Sequence, residues 1–195
     1  MNEFEIKILD FIQDKLACKF LDFLMPIISL FGDGGIFWIA LAVLFIIIPK
    51  TRKTGITMGC ALLLGLIFGN GLLKNLIART RPYDINTGFN LLVKKLSDYS
   101  FPSGHTLASF ECASVLMIKH KKLGIPALIL AVFIAFSRLY LYVHYPTDVL
   151  AGALLGTAFG FLAVFIVNKC DRKIKRIKAK FSLRKICLLY RFRYL

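Results

Sequence analysis

The sequence predicts an all-α fold, a polytopic transmembrane helical bundle, and two observations support this prediction. First, 57% of the 195 residues are hydrophobic, and they are gathered into long apolar runs. Runs of this kind are typical of membrane-spanning helices rather than of soluble domains. Second, two of the connections between runs are short and basic, as cytoplasmic loops of membrane proteins are. We therefore expect one compact, multi-pass bundle in the cell membrane.

Five apolar runs are firm candidates for transmembrane spans. They cover residues 35–49, 55–77, 103–118, 123–142 and 146–167. Residues 50–53, residues 119–122 and the segment after Asn168 are basic, which predicts that all three are cytoplasmic. These assignments agree if the spans alternate strictly in direction. The opposite ends of the spans are then expected on the extracytoplasmic side.

The N-terminal segment allows two arrangements. Residues 4–19 have the apolar rhythm of an amphipathic helix that lies in the membrane interface. Residues 18–31 are apolar but include Asp22 and Pro26. They form either a short sixth span, which places the N-terminus inside the cell, or a segment in the outer interface, which places it outside.

The net charge of +15 is concentrated after the last apolar run. We therefore expect a transmembrane domain over residues 1–168 and a basic cytoplasmic tail over residues 169–195. Anionic lipid headgroups, rather than nucleic acid, are the expected partner of this tail, because basic residues next to a membrane bind anionic lipid. The basic residues of the tail are Lys169, Arg172, Lys173, Lys175, Arg176, Lys178, Lys180, Arg184, Lys185, Arg191 and Arg193.

Glycines lie four residues apart on two predicted spans, at Gly65 and Gly69 and at Gly152, Gly156 and Gly160. Small residues at this spacing let helix backbones approach closely. Packing inside the bundle is the expected use, and a dimer interface is the alternative. The five cysteines are odd in number and include no Cys-x-x-Cys pair, so neither a disulfide framework nor a zinc site is expected.

Three polar clusters interrupt the apolar runs, and the first contains Lys74 and Arg81. The two residues are seven positions apart, so they share one face if a helix continues that far. Arg79 is expected to point elsewhere, and Pro82 is expected to end the helix just past Arg81. Basic residues near a span end can form a snorkelling collar. Positive charge on the outer side runs against the usual bias, which favours a functional role instead.

The second cluster, residues 101–106, has the pattern of a helix start. Ser103 is a good N-cap, and the free backbone N–H groups that follow it form a natural anion site. Gly104 lets a ligand approach the backbone closely. His105 is then in the first helical turn, beside the bound anion; a chance histidine in an ordinary capped helix is the alternative.

The third cluster contains Arg138, His144 and Asp148. Arg138 offers a planar fork of donors to phosphate oxygens. Pro146 suits the first position of the next helix, which places Asp148 in its first turn, where it can accept a hydrogen bond from His144. A carboxylate in that position fixes the imidazole tautomer and leaves the other nitrogen free to attack. A structural ion cluster at a span edge is the alternative. Taken together, the three clusters supply the side chains needed to bind a phosphate and cleave its ester bond.

The order and spacing of the three clusters resemble the complete signature of the type 2 phosphatidic acid phosphatase superfamily. The matching elements are Lys74-x6-Arg81-Pro82, Pro102-Ser103-Gly104-His105 and Ser137-Arg138-x5-His144-x3-Asp148. This superfamily also includes vanadium haloperoxidases, glucose-6-phosphatase and bacterial undecaprenyl-diphosphate phosphatases. The resemblance covers residues 74–148 directly, and the helix pattern extends it to about residue 167.

The resemblance implies a role for each residue. His144 would attack phosphorus and form a phosphohistidine, Asp148 would orient it, and His105 would protonate the leaving oxygen and then activate water. No metal or other cofactor is expected, because cations of the protein would stabilise the charge of the transition state. The phosphate-binding residues would be Lys74, Arg81, Ser103, Gly104 and Arg138.

The function implied by the resemblance is hydrolysis of a lipid phosphate or diphosphate at the outer membrane face. Undecaprenyl diphosphate is the leading substrate, because the chain is short and resembles compact bacterial members. Phosphatidic acid or phosphatidylglycerol phosphate is the alternative substrate, and a non-catalytic lipid-phosphate binder or transporter is an alternative of another class. Glu111 lies mid-span outside the signature, where an intramembrane carboxylate has either a structural or a functional role.

Overall fold

The computed structural model describes the backbone of residues 2–193 and the side chains of residues 3–177. Every regular element in this part of the chain is helical. The helices are α1 (Asn2–Leu16), α2 (Lys19–Leu30), α3 (Ile36–Ile47), α4 (Arg52–Leu64), α5 (Lys74–Ile77), α6 (Pro82–Ile85), α7 (Gly104–Lys119), α8 (Lys121–Tyr140) and α9 (Pro146–Arg193). A 3₁₀ turn (Asp33–Gly35) precedes α3, and a π-helical segment (Gly65–Leu73) joins α4 to α5.

Four helical stretches of the described chain are long and apolar enough to cross a membrane. They are Lys19–Ile47, Arg52–Ile85, Lys121–Tyr140 and Pro146–Ile177. The run at residues 103–118 forms α7, but this helix has only 16 residues, about 24 Å at 1.5 Å per residue, and it carries Glu111. The all-α prediction is therefore confirmed over the described residues, whereas the count of five spans is not.

α7 lies inside the bundle, packed against α4, α8 and α9. The three glycines of α9 make its contact with α7 possible. A Cβ would lie 2.8 Å from the Ser103 carbonyl oxygen at Gly152, 2.5 Å from the Leu107 carbonyl oxygen at Gly156, and 2.9 Å from the Glu111 carbonyl oxygen at Gly160. The glycines thus pack inside the bundle, as expected. Their contact places the start of α9 beside the start of α7.

Apolar side chains fill the interior between α3, α4, α7, α8 and α9. Trp38, Met58, Leu116 and Ile134 are buried there, and the Trp38 indole N–H donates to the Ser109 hydroxyl (3.0 Å). Many further large apolar side chains on these helices are exposed, as expected of surfaces that face lipid. Bundle interior and bundle surface are therefore both apolar, and the polar residues are confined mainly to the two ends.

α1 and α2 lie at the end of the bundle where α8 finishes and α9 begins. The Tyr142 hydroxyl donates to Asp10 of α1 (2.7 Å), and the Tyr140 hydroxyl donates to Asp22 near the start of α2 (2.6 Å). Near the end of α2, Ser29 accepts a hydrogen bond from Arg138. Both ends of α2 thus contact the last turn of α8. These contacts favour the arrangement in which α2 lies along this end of the bundle, with the N-terminus on the same side.

The predicted basic tail continues α9 without interruption. Asp171 pairs with Lys175 (3.4 Å) of the same helix and with Lys53 (2.9 Å), which ties the start of the tail to the first turn of α4. The remaining predicted tail cations lie outside the described side chains: Lys178, Lys180, Arg184, Lys185, Arg191 and Arg193.

Candidate active site

The chain bends sharply between Lys74 and Arg81, so the helix does not continue to Arg81, and the prediction that Pro82 ends it there is wrong. α5 ends before Ala78, which has a left-handed conformation (φ 47°), and Arg81 is extended. Pro82 begins α6 instead of ending a helix, because the first helical position needs no N–H donor. The two cations nevertheless come together, since both contact the carboxylate of Asp98.

The prediction that Arg79 points away from the site is also wrong. Its guanidinium donates to Asp148 Oδ1 (2.6 Å) and to the Thr147 hydroxyl (2.7 Å) at the start of α9. It also pairs with Glu5 of α1 and lies over the Tyr145 ring, 3.9 Å from the ring centroid. Arg79 therefore ties α1 to the start of α9 and supports the carboxylate of Asp148.

The second cluster forms the start of α7, as predicted. Ser103 occupies the N-cap position, and Gly104 is the first helical residue. The Ser103 side chain makes no capping hydrogen bond to the backbone; its hydroxyl accepts instead from the Thr106 hydroxyl (3.0 Å). A Cβ at Gly104 would lie 3.0 Å from Asn70 Oδ1, so the absence of a side chain there allows a close approach.

His105 is held by the glycine-rich turn before α3, a contact that the sequence analysis missed. Its Nε2 lies 2.7 Å from Asp33 Oδ1. A Cβ at Gly32 would come within 2.6 Å of the imidazole, so this close approach requires glycine. Gly34 and Gly35 have φ values of 56° and 66°, which glycine adopts without strain. The Gly-Asp-Gly-Gly sequence is a tight-turn signal at a predicted span start and could have directed attention to Asp33.

The third cluster lies around the start of α9. Pro146 begins this helix, as predicted, and Asp148 is in its first turn. His144 Nδ1 lies 3.6 Å from Asp148 Oδ2, which is too long for the predicted direct hydrogen bond. The Ser100 hydroxyl connects the two groups: it donates to Asp148 Oδ2 (2.5 Å) and lies 3.4 Å from His144 Nδ1. The Tyr145 N–H donates to the same carboxylate oxygen (3.0 Å).

His144 is neutral in this environment. Burial lowers the pKa of His144 to about 3; the charges of Arg81 and Arg138 act in the same direction, and Asp148 opposes them. With Nδ1 toward Ser100 and Asp148, Nε2 faces Arg81 Nη1 at 3.3 Å. At physiological pH the imidazole therefore retains a nitrogen lone pair, which a nucleophile requires.

A cavity of about 1090 Å³ connects the polar clusters with the apolar faces of α3 and α4. Five predicted site residues line its polar end: Lys74, Arg81, Gly104, His105 and His144. Ile39, Val43, Ile46, Ile56 and Leu63 are among the apolar side chains that line the remainder. Ser103, Arg138 and Asp148 are buried behind this lining. The two predicted catalytic histidines thus face the same cavity.

Glu111 also lines this cavity, and it is buried (1% exposed). Its carboxyl group packs against the start of the π-helical segment, where a Cβ at Gly65 would lie 2.0 Å from Glu111 Oε1. Oε1 has no hydrogen-bond partner among the described residues. Glu111 therefore occupies the space that a side chain at Gly65 would need.

A helical membrane bundle with buried cations and histidines at the polar end of an apolar cavity defines a class of protein, an enzyme built for phosphorylated lipids. The comparison with known families agrees. Residues 54–172 match the model of the PAP2 superfamily, and the chain belongs to this superfamily. The sequence-based prediction of the family is thereby confirmed, as is that of an enzyme of the lipid-phosphatase class, which is metal-independent as a class.

Several relatives resemble this chain over most of their length. An undecaprenyl-diphosphatase of Sulfolobus acidocaldarius is 37% identical over 158 residues, which cover 78% of this chain and 76% of the relative. The crystal structure of a transmembrane PAP2-type phosphatidylglycerolphosphate phosphatase from Bacillus subtilis matches with a TM-score of 0.70 and 32% identity, covering 90% and 88% of the two chains. That of Aquifex aeolicus LpxE matches with a TM-score of 0.72 and 27% identity, covering 81% of this chain and 93% of the other.

Proposed function

We propose that this protein hydrolyses undecaprenyl diphosphate to undecaprenyl phosphate at the extracytoplasmic face of the membrane, through a phosphohistidine intermediate. The observation that carries the proposal is the position of His144. Its imidazole is neutral, with Nδ1 directed toward Ser100 and Asp148 and Nε2 beside Arg81, at the polar end of a cavity whose remainder is lined mainly by apolar side chains.

In the first step, His144 Nε2 attacks the terminal phosphorus and the bond between phosphorus and the bridging oxygen breaks. Burial and the charge of Arg138 lower the pKa of His105 to about 4, whereas the negative charge of a bound diphosphate favours the imidazolium. The imidazolium of His105 then donates its proton to the departing oxygen. Lys74, Arg81 and Arg138, with Ser103 and the Gly104 N–H, stabilise the charge on the equatorial oxygens of the transition state.

In the second step, water attacks the phosphohistidine and His105 accepts its proton. The nitrogen–phosphorus bond breaks, inorganic phosphate leaves, and His144 returns to its neutral form. Asp148, with Ser100 beside it, keeps Nδ1 of the imidazole oriented through both steps.

The apolar part of the cavity supports a substrate with a long hydrocarbon chain. It extends from Lys74 and His144 along α3 and α4, where Ile39, Val43 and Ile56 contribute to its lining. A prenyl chain is apolar throughout and fits this lining. The undecaprenyl-diphosphatase relative supports the same choice, and the phosphatidylglycerolphosphate phosphatase supports the alternative of a glycerolipid phosphate.

The position of the basic loops supports an extracytoplasmic site. The first turn of α4 lies beside the connection between α7 and α8, since Thr54 Oγ1 is 2.9 Å from His120 Nε2, and Lys53 of the same turn pairs with Asp171. The basic segments at residues 50–53 and 119–122 are therefore at the same end of the bundle. Basic loops mark the cytoplasmic side. The candidate site lies at the other end of α7. The tail cations of the described residues, Lys169, Arg172, Lys173, Lys175 and Arg176, would bind anionic headgroups of the cytoplasmic leaflet.

The proposal is tested by phosphate release from purified protein on a panel of undecaprenyl diphosphate, phosphatidic acid and phosphatidylglycerol phosphate. We expect the fastest turnover on undecaprenyl diphosphate, no turnover by the His144→Ala variant, and normal turnover by His120→Ala, a histidine at the opposite end. Preference for a glycerolipid phosphate would reject the assigned substrate. Phosphate binding without turnover of any lipid would indicate a binder or transporter.

A further inference from the structure

One carboxylate pairs with both predicted phosphate-binding cations on the solvent side of the site. Asp98 Oδ2 accepts a hydrogen bond from Lys74 Nζ, and Asp98 Oδ1 accepts one from Arg81 Nη2 (2.6 Å). The same arginine donates through Nε to the Asp98 carbonyl oxygen (2.9 Å). Each oxygen of the carboxylate thus contacts one cation, as two oxygens of a phosphoryl group would.

The three side chains differ greatly in exposure. The side chains of Lys74 and Arg81 are 9% and 2% exposed, whereas that of Asp98 is 51% exposed. Asp98 therefore covers the two cations from the solvent side, and it lines the same cavity as His105 and His144. A phosphoryl group that enters the cavity must compete with this carboxylate for the same donors.

Asp98 remains charged in the physiological pH range. Partial burial alone would raise its pKa, but the hydrogen bond and charge of Lys74 and the charge of Arg81 outweigh that effect and hold the pKa of Asp98 at about 2. Protonation therefore does not release the cations. An incoming anion therefore has to compete with a charged carboxylate.

The backbone on both sides of Asp98 is fixed. The Tyr83 hydroxyl donates to the Leu96 carbonyl oxygen (3.0 Å) and accepts from the Leu96 N–H (3.1 Å). The Ser100 N–H donates to the Arg79 carbonyl oxygen (2.8 Å). Since both anchors lie within two residues of Asp98, rotation of its exposed side chain would move the carboxylate away from the two cations while the loop stays in place.

We propose that Asp98 sets the affinity of the site for phosphate. Its carboxylate occupies the positions of two phosphoryl oxygens on Lys74 and Arg81 until the substrate arrives, and it occupies them again when inorganic phosphate leaves. This inference rests on the proposed function of the site as a phosphatase. It assigns Asp98 the role of a competitor that accelerates product release, in contrast to a residue that only holds the two cations in place.

The two roles predict opposite effects of Asp98→Asn, which keeps the size of the side chain and removes its charge. A competitor that is weakened leaves the cations free, so phosphate binds more tightly. A positioning residue that is weakened lets the cations move, so phosphate binds less tightly and turnover falls. Asp98→Glu restores the charge and is expected to restore an affinity close to that of the wild type.

The test is calorimetric titration of the full-length, detergent-purified protein with inorganic phosphate. We expect the Kd of Asp98→Asn to be about tenfold lower than that of the wild type, the size of one charge-assisted hydrogen bond, with stronger product inhibition by phosphate. Asp84→Asn is the matched control, because Asp84 is an exposed acid outside the site, 3.9 Å from Lys95. Its Kd should equal that of the wild type.

An unchanged or higher Kd in Asp98→Asn would overturn the inference, provided that its thermal unfolding matches that of Asp84→Asn. If Asp98→Asn does not fold, Asp98→Ser takes its place, and a Kd equal to or higher than that of the wild type would overturn the inference as well. Lipid hydrolysis by the wild type is measured separately. Normal hydrolysis with an unchanged Kd would reject the role of Asp98 and leave the proposed function intact. Absence of hydrolysis would reject the proposed function, and phosphate binding by neither protein would reject the role of Asp98.

Discussion

Ser100 offers a direct test of how His144, the proposed nucleophile, is oriented. Its hydroxyl donates to Asp148 Oδ2 (2.5 Å) and lies 3.4 Å from His144 Nδ1, so it connects two groups that are 3.6 Å apart. The change Ser100→Ala removes this connection without adding bulk. Asp148 retains the Tyr145 N–H on Oδ2 and Arg79 on Oδ1. The carboxylate therefore stays partnered, and Nδ1 of the imidazole loses its closest polar neighbour.

The magnitude follows from the type of hydrogen bond that is lost. A hydrogen bond to a charged group contributes about 1.5–3 kcal/mol. Because two partners of Asp148 remain, we take the lower end, about 1.5 kcal/mol. If this energy is lost in the transition state, kcat falls about tenfold. KM should change little, because Ser100 is not among the residues that line the cavity.

The assay is steady-state phosphate release from undecaprenyl diphosphate, together with thermal unfolding of each variant. Ser114→Ala is the control, because Ser114 is a buried serine on α7 that lies away from the site, beside Gly160. It should retain the wild-type kcat. Wild-type kcat in a folded Ser100→Ala variant would refute the orienting role. An equal loss of kcat in both variants would show a general packing effect instead.

Three further predictions concern other parts of the structure. Asp33→Asn removes the charge beside His105 Nε2. This change is expected to lower kcat about tenfold and to shift the pH–rate profile, because it perturbs acid–base catalysis by His105. An unchanged profile would exclude a role of Asp33 in that catalysis. Gly65→Ala places a Cβ within 2.0 Å of Glu111 and should reduce the free energy of unfolding by about 1–3 kcal/mol. Gly59→Ala is the control, because a Cβ there meets nothing within 4 Å and should be neutral or stabilising. Equal unfolding temperatures of the two variants would contradict the predicted clash at Gly65. The pKa of His144 is about 3 in the folded protein and 6.5 in the unfolded reference state. Between pH 3 and pH 6.5 the unfolded chain therefore binds more protons than the folded protein, so the free energy of unfolding that is present above pH 6.5 is lost as the pH falls toward 3. The unfolding temperature should decrease from about pH 7 to about pH 5, and less so in His144→Gln; equal pH dependence in the two proteins would contradict the assignment.

Local sequence patterns were sufficient for several helices and for the helix starts at Ser103 and Pro146. The apolar run at residues 123–142 corresponds to α8 (Lys121–Tyr140), and Pro146 begins α9 as its fixed φ and missing N–H predict. Ser103 and Gly104 stand at the start of α7 for similarly local reasons. These features depend on a few neighbouring residues, so the sequence alone reveals them.

Contacts between distant segments were not predictable in the same way. The bend between Lys74 and Arg81 occurs at Ala78, a residue type that does not favour φ of 47°, so nothing in the local sequence marks it. Arg79 meets Asp148 across 69 positions of the chain, and Asp98 meets the two cations from a loop that is anchored on both sides. Such contacts follow from the assembled bundle and not from spacing along the chain.

The contacts of the N-terminal segment also explain why its sequence allowed two arrangements. The alternation of apolar and polar residues in α1 fits an interfacial helix, but its polar residues include Glu5 and Asp10, which bond to Thr147 and Tyr142. An amphipathic pattern shows that a helix has two faces and does not show what each face contacts. The partners became evident only from the folded arrangement.

The central claim is that His144 carries the phosphoryl group during turnover, and trapping the intermediate tests it most directly. The protein is mixed with undecaprenyl diphosphate labelled in its terminal phosphate, quenched in alkali within the first turnover, and digested for mass spectrometry. The account predicts an acid-labile, alkali-stable phosphoryl group on the peptide that contains His144, and none in His144→Ala. Label on another residue, or rapid turnover with no labelled peptide at any time, would contradict it.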